Sequence, residues 1–315
     1  MTVEDFIKEW QSDSPTVIAH TSGSTGKPKE IHLCKADMIA SAKMTNAFLG
    51  ITHSSRLLLC LSPDYIAGKM MIVRALVAGA ELVTERPSNN VLADYDGEPF
   101  DLVAVVPSQA VSLVENPSRL KYIKAVIIGG GVVPESLRQR LVALGVNAYS
   151  TYGMTETCSH IALQKIDAAS SPYEVLPPTT VSVDNRGCLV ADLPQFSVGK
   201  VVTNDIVELL SPTQFCWRGR YDNVINTGGL KVFPEEVEAA IAPIMNTRYY
   251  IASRPSDKWG EEVVLILERE SIAANEEAKL LQALKAALPP HQVPKAVICK
   301  YPFVETSTGK VKRIL

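Results

Sequence analysis

Residues 101–151 read DLVAVVPSQAVSLVENPSRLKYIKAVIIGGGVVPESLRQRLVALGVNAYST. Segments 101–106, 124–128 and 146–151 are short and apolar. Segments 108–115 and 134–144 carry helical patterns, and Pro134 sits near a helix start, where its missing N–H costs nothing. Strands that are apolar without interruption are those covered on both faces. The alternation of strand and helix predicts an α/β fold with a largely parallel sheet.

The pattern extends upstream. Segments 16–20, 56–61 and 81–84 read as further strands, and 35–48 and 66–78 as helices. From about Pro172 it changes: Pro177-Pro178 and short β-like pieces at 179–183, 188–191 and 206–210 form a smaller β-rich section. After Arg218-Gly219-Arg220 comes a compact segment with helices at 234–241 and 275–288 and strands at 248–253, 262–268 and 296–300. The boundary is set near Tyr221 and Asp222, giving domains 1–221 and 222–315. No internal repeat or low-complexity segment interrupts either.

The composition fits two domains. The chain has 315 residues, and domains average roughly 150. Hydrophobic residues make up 46% and charged residues 21%, with a net charge of −3. Nothing global favours nucleic acid or an anionic membrane, so anion binding must come from local groups. The start, MTVEDFIKEW, lacks the apolar core of a signal peptide. The apolar run 66–83 is broken by Lys69, Arg74 and Glu81, which argues against a membrane span. The six cysteines are scattered and form no CxxC pair. That speaks against a disulfide framework or zinc site and for free thiols in a reducing cytoplasm.

Five stretches carry chemistry. The first runs Thr21, Ser22, Gly23, Ser24, Thr25, Gly26, Lys27, Pro28, Lys29. Glycines let backbone N–H groups converge on an anion, and hydroxyls add donors. Two residues separate the glycines and Pro28 follows Lys27, so this is not a Walker A loop. Pro28 also keeps Lys27 out of the helical region. A polar surface turn is the alternative reading. The second, YSTYGMTET (149–157), places the Thr155 hydroxyl beside the Glu156 carboxylate; near phosphates such a carboxylate works through a divalent metal, while for this stretch alone a solvated loop glutamate is the plainer reading. Third, Gly129, Gly130 and Gly131 end a strand, which suits either a flat ligand or a tight turn. Fourth, WRGRYD (217–222) leads into INTGGLKV (225–232), where a charged linker and a hairpin are the plain readings. Fifth, TSTGKVKR (306–313) is a basic tail containing Lys310.

In this order, TSGSTGKPK, YGMTE, GRYDNVINTGGLKV and TGKVKR resemble the adenylate-forming superfamily of acyl-CoA synthetases, adenylation domains and luciferases. The likeness runs from Thr21 to Arg313. Within it, YGMTETCSHIA (152–162) resembles the branch that activates o-succinylbenzoate for menaquinone biosynthesis. The resemblance implies a large N-terminal α/β sheet subdomain with a β-rich section and a small, mobile α+β C-terminal domain. It implies an ATP-dependent acid–CoA ligase that makes an acyl-adenylate and then a thioester, with ATP, Mg²⁺ and CoA as its small-molecule partners. Another aryl or fatty acid, or a carrier protein as acceptor, is the alternative. A homodimer is one open outcome.

The same resemblance assigns roles. Thr21, Ser22, Gly23, Ser24, Thr25, Gly26, Lys27 and Lys29 hold the β- and γ-phosphates. Gly129, Gly130, Gly131, Tyr152 and Gly153 line the adenine site. Thr155 touches the α-phosphate and Glu156 binds Mg²⁺. Asp205 and Arg220 hold the ribose, and Asp222 is the hinge. Gly228, Gly229 and Lys231 meet CoA, and Lys310 is the adenylation lysine. Ser159 and His160, which directly follow the adenylate motif, are placed to face the acid, a packed, hydrogen-bonded His160 being the equal alternative, and Tyr65 is set with them. A carboxylate is already a nucleophile, so adenylation needs no general base; it needs stabilisation of a charge-spread transition state. In place of the family's long N-terminal segment, only twenty residues precede Thr21, which bears on the acyl pocket wall and the dimer surface. The sequence also offers Tyr65 where a histidine is common, and Val304-Glu305-Thr306 where Pro-Arg-Thr is usual.

Overall fold

A computed structural model describes residues 1–21, 29–169, 171–305 and 311–313. The chain forms two compact units. Unit 1 holds residues 1–182, 190–201 and 209–215; unit 2 holds 183–189, 202–208 and 216–315. The chain thus passes between them several times before settling in unit 2.

In unit 1, α1 (Val3–Gln11) precedes β1 (Thr16–Thr21) and β2 (Lys29–Cys34). These strands pair antiparallel as a separate hairpin in which Thr21 faces Lys29. Segment 16–20 is therefore a strand as expected, but lies outside the main sheet. Alternating Ile31 and Leu33 against exposed Glu30 and His32 give β2 its two faces. Then follow α2 (Lys35–Leu49), β3 (Arg56–Leu59), α3 (Ile66–Ala78), β4 (Glu81–Thr84), β5 (Leu102–Val105), α4 (Pro107–Glu115), β6 (Val126–Ile128), α5 (Glu135–Ala143), β7 (Ala148–Met154), β8 (Ser159–Lys165) and β9 (Tyr173–Val175).

The order β4-β3-β5-β6-β7 is parallel throughout. β8 and β9 extend it antiparallel. Side chains alternate across this sheet. Leu58, Val103, Val105, Val126 and Ile128 pack with Ala110, Leu113 and Val114 of α4 and Leu137 and Leu141 of α5. Leu57, Leu59, Leu102 and Ile127 are also buried but point the other way, where α3 lies on β3 and β4 and packs against α2. Both faces are covered, as the unbroken apolar strands require. α3 is buried from Gly68 to Ala75, including Lys69 and Arg74. Lys69 lies 4.8 Å from the centre of the Phe6 ring of α1, a cation–π contact.

β10 (Thr180–Val183), β11 (Cys188–Leu193), β12 (Gly199–Ser211) and β13 (Gln214–Arg220) carry the chain across the unit boundary. Within unit 1, Gln214 and Phe215 of β13 pair with Glu174 and Tyr173 of β9.

Unit 2 continues with β14 (Ile225–Thr227), β15 (Leu230–Val232), α6 (Pro234–Ile241), β16 (Tyr249–Ser256), β17 (Gly260–Glu268), α7 (Ala274–Ala287) and β18 (Val297–Lys300). Its sheet runs β15-β14-β17-β16, with β18 parallel to β17. Val237 and Ile241 of α6 and Leu284 of α7 cover Ile251, Val263, Leu265 and Leu267 on one face. Tyr250, Val264, Ile266 and Phe303 form a smaller cluster on the other.

Candidate active site

Ligands of open α/β sheets bind outside the carboxyl ends of the strands. In unit 1 those ends carry the residues singled out in the sequence. Gly129, Gly130 and Gly131 follow β6. Tyr152 and Gly153 lie in the last turns of the neighbouring β7, and Thr155 and Glu156 open a short 3₁₀ turn, Thr155–Thr157, between β7 and β8.

That turn is tightly held. Met154 N–H donates to Thr157 Oγ1 at 3.0 Å, and Thr157 Oγ1 donates to Ser159 O at 2.8 Å. Cys158 N–H donates to Thr155 O at 3.0 Å. Cys158 and Ser159 sit at φ 50° and 88°, left-handed values that cost a non-glycine residue about 1–3 kcal/mol each. A Cβ on Gly153 would stand 2.1 Å from Ser159 O and 2.5 Å from His160 Cα. Glycine there lets β7 and β8 close around the bulge at Tyr152 and Gly153. Glu156 is thereby presented exposed, beside Thr155. Burial pushes the neighbouring Cys158 thiol up to about 12, so it is no nucleophile at neutral pH. The Tyr152 ring stands edge-on to Phe215 at 5.1 Å and to Tyr173 at 5.8 Å, which fixes its plane.

Beside this turn lies a cation that in the sequence shows only as a charge breaking an apolar run. Arg74, on α3, is 1% exposed. Its Nη2 lies 3.4 Å from Ser159 Oγ and its Nη1 3.6 Å from Met71 Sδ. Nε has no partner. No carboxylate reaches the guanidinium among the described residues. Burial alone lowers its pKa, to about 9, so it remains charged at neutral pH. A buried charge without a counter-ion costs several kcal/mol. The signal was visible: two cations, Lys69 and Arg74, inside an otherwise apolar helix. His160, on β8, is 2% exposed and bonds to Thr45. Tyr65 is exposed just ahead of α3.

Unit 2 gathers a second set. Asp205, 6% exposed, receives Trp217 Nε1–H at 3.3 Å and Arg220 Nη1 at 3.3 Å. Arg220 also approaches Asp222 at 3.8 Å, and Asn204 donates to Asp222 at 3.2 Å. The carboxylate and guanidinium expected to act together are therefore in contact. Gly228 and Gly229 form the β14–β15 turn, with φ 57° and 81°, so the hairpin reading of these residues holds. Gly228 N–H donates to Trp259 O at 2.9 Å. Lys231 pairs with Asn226 in β15 and is exposed.

Ser22, Gly23, Ser24, Thr25, Gly26, Lys27 and Lys310 lie outside the described residues, as do the side chains of Thr21 and Lys29. Among the described residues no three His, Cys, Asp or Glu side chains converge on a metal site. A lone exposed carboxylate such as Glu156 fits a magnesium ion that takes its other ligands from phosphates and water.

The family model for AMP-binding enzymes matches residues 4–201. A probable 2-succinylbenzoate–CoA ligase of Mycobacterium tuberculosis is 30% identical, over 82% of this chain and 72% of its own. An acyl-CoA synthetase (AMP-forming)/AMP-acid ligase II-like protein of Dyadobacter fermentans is 34% identical in its crystal structure, with a TM-score of 0.65 over 98% of this chain and 91% of that one. The o-succinylbenzoate CoA synthetase of Bacillus subtilis, solved with its acyl-adenylate intermediate, shares the fold at a TM-score of 0.78, with 22% identity over 96% and 68% of the two chains. The chain spans 54% to 72% of the length of the curated relatives it matches. The match over residues 4–201, on a sheet that carries the glycine run and the Thr155–Glu156 turn at adjacent strand ends, places the chain in the AMP-binding enzyme family.

Proposed function

We propose that the chain is an AMP-forming acid–CoA ligase whose acid carries two carboxylates, with o-succinylbenzoate as the substrate. The observation that carries the choice of acid is Arg74: a buried cation without a counter-ion among the described residues, beside the strand that follows the Thr155–Glu156 turn. One carboxylate of the acid meets Arg74, which relieves its burial. The other is the nucleophile toward the α-phosphate of ATP. The names and bound ligands of the relatives point to the same acid.

In this reading Thr155 donates to the α-phosphate, and the residues from Thr21 to Lys29 hold the phosphates that leave as pyrophosphate. Gly129, Gly130, Gly131, Tyr152 and Gly153 form the adenine site. Asp205 accepts from the ribose hydroxyls, steadied by Arg220. Glu156 holds magnesium, which when bound neutralises phosphate charge in the transition state. Lys310 serves adenylation and Asp222 is the hinge. Gly228, Gly229 and Lys231 serve thioester formation. Ser159, His160 and Tyr65 belong to the acid side.

Pyrophosphate release tests the reading, with o-succinylbenzoate, ATP and Mg²⁺, with and without CoA. Release that depends on the acid, and a CoA thioester when CoA is present, are expected. Silence across aryl diacids, aryl monoacids and fatty acids rejects it. An adenylate that reacts only with a phosphopantetheinyl carrier protein moves the acceptor, not the first step.

A further inference from the structure

Behind Arg74 lies a buried polar chain. Ser41 and Thr45 of α2 are fully buried, and His160 of β8 is 2% exposed. Thr45 Oγ1 lies 3.2 Å from Ser41 O, one helical turn back, and 2.9 Å from His160 Nε2. The carbonyl can only accept, so the Thr45 hydroxyl donates to it and accepts from Nε2–H. The proton of a neutral imidazole is then on Nε2, and the Nδ1 lone pair faces Ser159 Oγ at 3.5 Å. Ser159 donates to the ring and accepts from Arg74 Nη2 at 3.4 Å. In this order the Thr45 and Ser159 hydroxyls and the His160 ring N–H each meet an acceptor. The opposite tautomer leaves the Ser159 hydroxyl proton with no acceptor and takes the Thr45 proton from Ser41 O. Burial and the adjacent guanidinium keep the ring uncharged. The two links to Ser159 are longer than the link to Thr45, and long bonds of this kind tighten when substrate binds. Ser41 Oγ also donates to Cys158 O at 2.8 Å, so α2 holds the left-handed turn and the histidine together.

We propose that His160, anchored by Thr45 as its Nε2–H tautomer, is a positioning residue that sets the Ser159 hydroxyl as an acceptor for Arg74 and so aims the free edge of the guanidinium at the second carboxylate of the acid. The inference rests on the diacid reading above. It gives His160 no contact with the acid; the histidine acts through Ser159.

Thr45→Val, which keeps shape and removes the hydroxyl, is the first variant. The KM for o-succinylbenzoate should rise about tenfold, while the KM for ATP and the turnover of a benzoate monoacid hold within about twofold. Thr45→Ser should restore the diacid KM. In an Arg74→Met background, Thr45→Val should add nothing, because both changes break one unit. Equal rises in both KM values, an additive double variant, or an unchanged diacid KM overturns the inference. Nitrogen-15 NMR of the imidazole reads the tautomer without turnover: Nε2–H is expected, and Nδ1–H overturns the inference while leaving the ligase reading intact. Failure of the wild-type chain to release pyrophosphate with any acid rejects both.

Discussion

Arg74 sets stability against function. Replaced by methionine, it removes a buried charge that no described carboxylate balances, and such replacements are neutral or stabilising. Arg74→Met should therefore melt no lower than the parent, while its KM for o-succinylbenzoate rises on the order of a hundredfold. A large fall in melting temperature with an unchanged KM would deny the arginine its ligand role. Gly153→Ala should do the reverse of a specificity variant. Its methyl group meets backbone atoms of β8, so a loss of at least about 2 kcal/mol is expected in denaturant unfolding. His160 makes stability depend on pH. Burial first, and the charge of Arg74 second, hold its imidazole well below the ordinary 6.5. Below that value the unfolded chain takes up a proton that the folded chain refuses. Stability therefore falls as pH falls, by about 1.4 kcal/mol per unit for one proton. Melting curves at about pH 7 and about pH 5.5 should show a drop that is smaller in His160→Gln.

At the scale of elements, the parallel core was legible. Segments 66–78 and 234–241 match α3 and α6, because long apolar or amphipathic periods survive any tertiary context. β2 was not read; its alternation is short and follows the polar loop directly. β8 was hidden inside a run taken as motif, though it is central to the sheet. Ser159 serves the strained turn, His160 to Leu163 are buried in a row and Gln164 and Lys165 only half-buried, so no single period marks it. The site was legible as motifs but not as contacts. Nothing in the sequence says that Thr45 meets His160 or that Arg74 meets Ser159, since the pairs lie 115 and 85 residues apart. In unit 2, Glu238 of α6 accepts Ile251 N–H at 2.7 Å and Arg313 Nη2 at 2.7 Å. Burial raises the Glu238 pKa against the pull of Arg313. Among the described residues, Glu238→Gln would leave Arg313 only the Ile251 carbonyl at 3.1 Å and the Glu235 carboxylate at 3.8 Å, and should cost about 2 kcal/mol, read as an earlier melt of unit 2.

The whole chain divides less simply than one boundary at Asp222 suggests. Residues 183–189 and 202–208 belong with unit 2, and they carry Asp205, which bonds Trp217 and Arg220. Yet the core of unit 2, from Ile225 to Val293, is complete within its C-terminal part. A fragment of residues 222–315 should accordingly fold with one cooperative melt, seen by circular dichroism, while lacking Asp205 and Arg220. A fragment without a cooperative melt would mean that the early segments are needed for folding. No helix among the described residues is long and apolar enough to cross a membrane.

The three tryptophans fall on three different features. Trp10 packs near Phe6 on α1, Trp259 covers the glycine turn of β14–β15, and the Trp217 indole N–H points at the Asp205 carboxylate. A molecule that takes over that carboxylate turns the indole N–H to another acceptor. The emission of Trp217 would then shift. With Trp10 and Trp259 replaced by phenylalanine, the chain carries its own unlabelled optical gauge for occupancy of the Asp205 carboxylate.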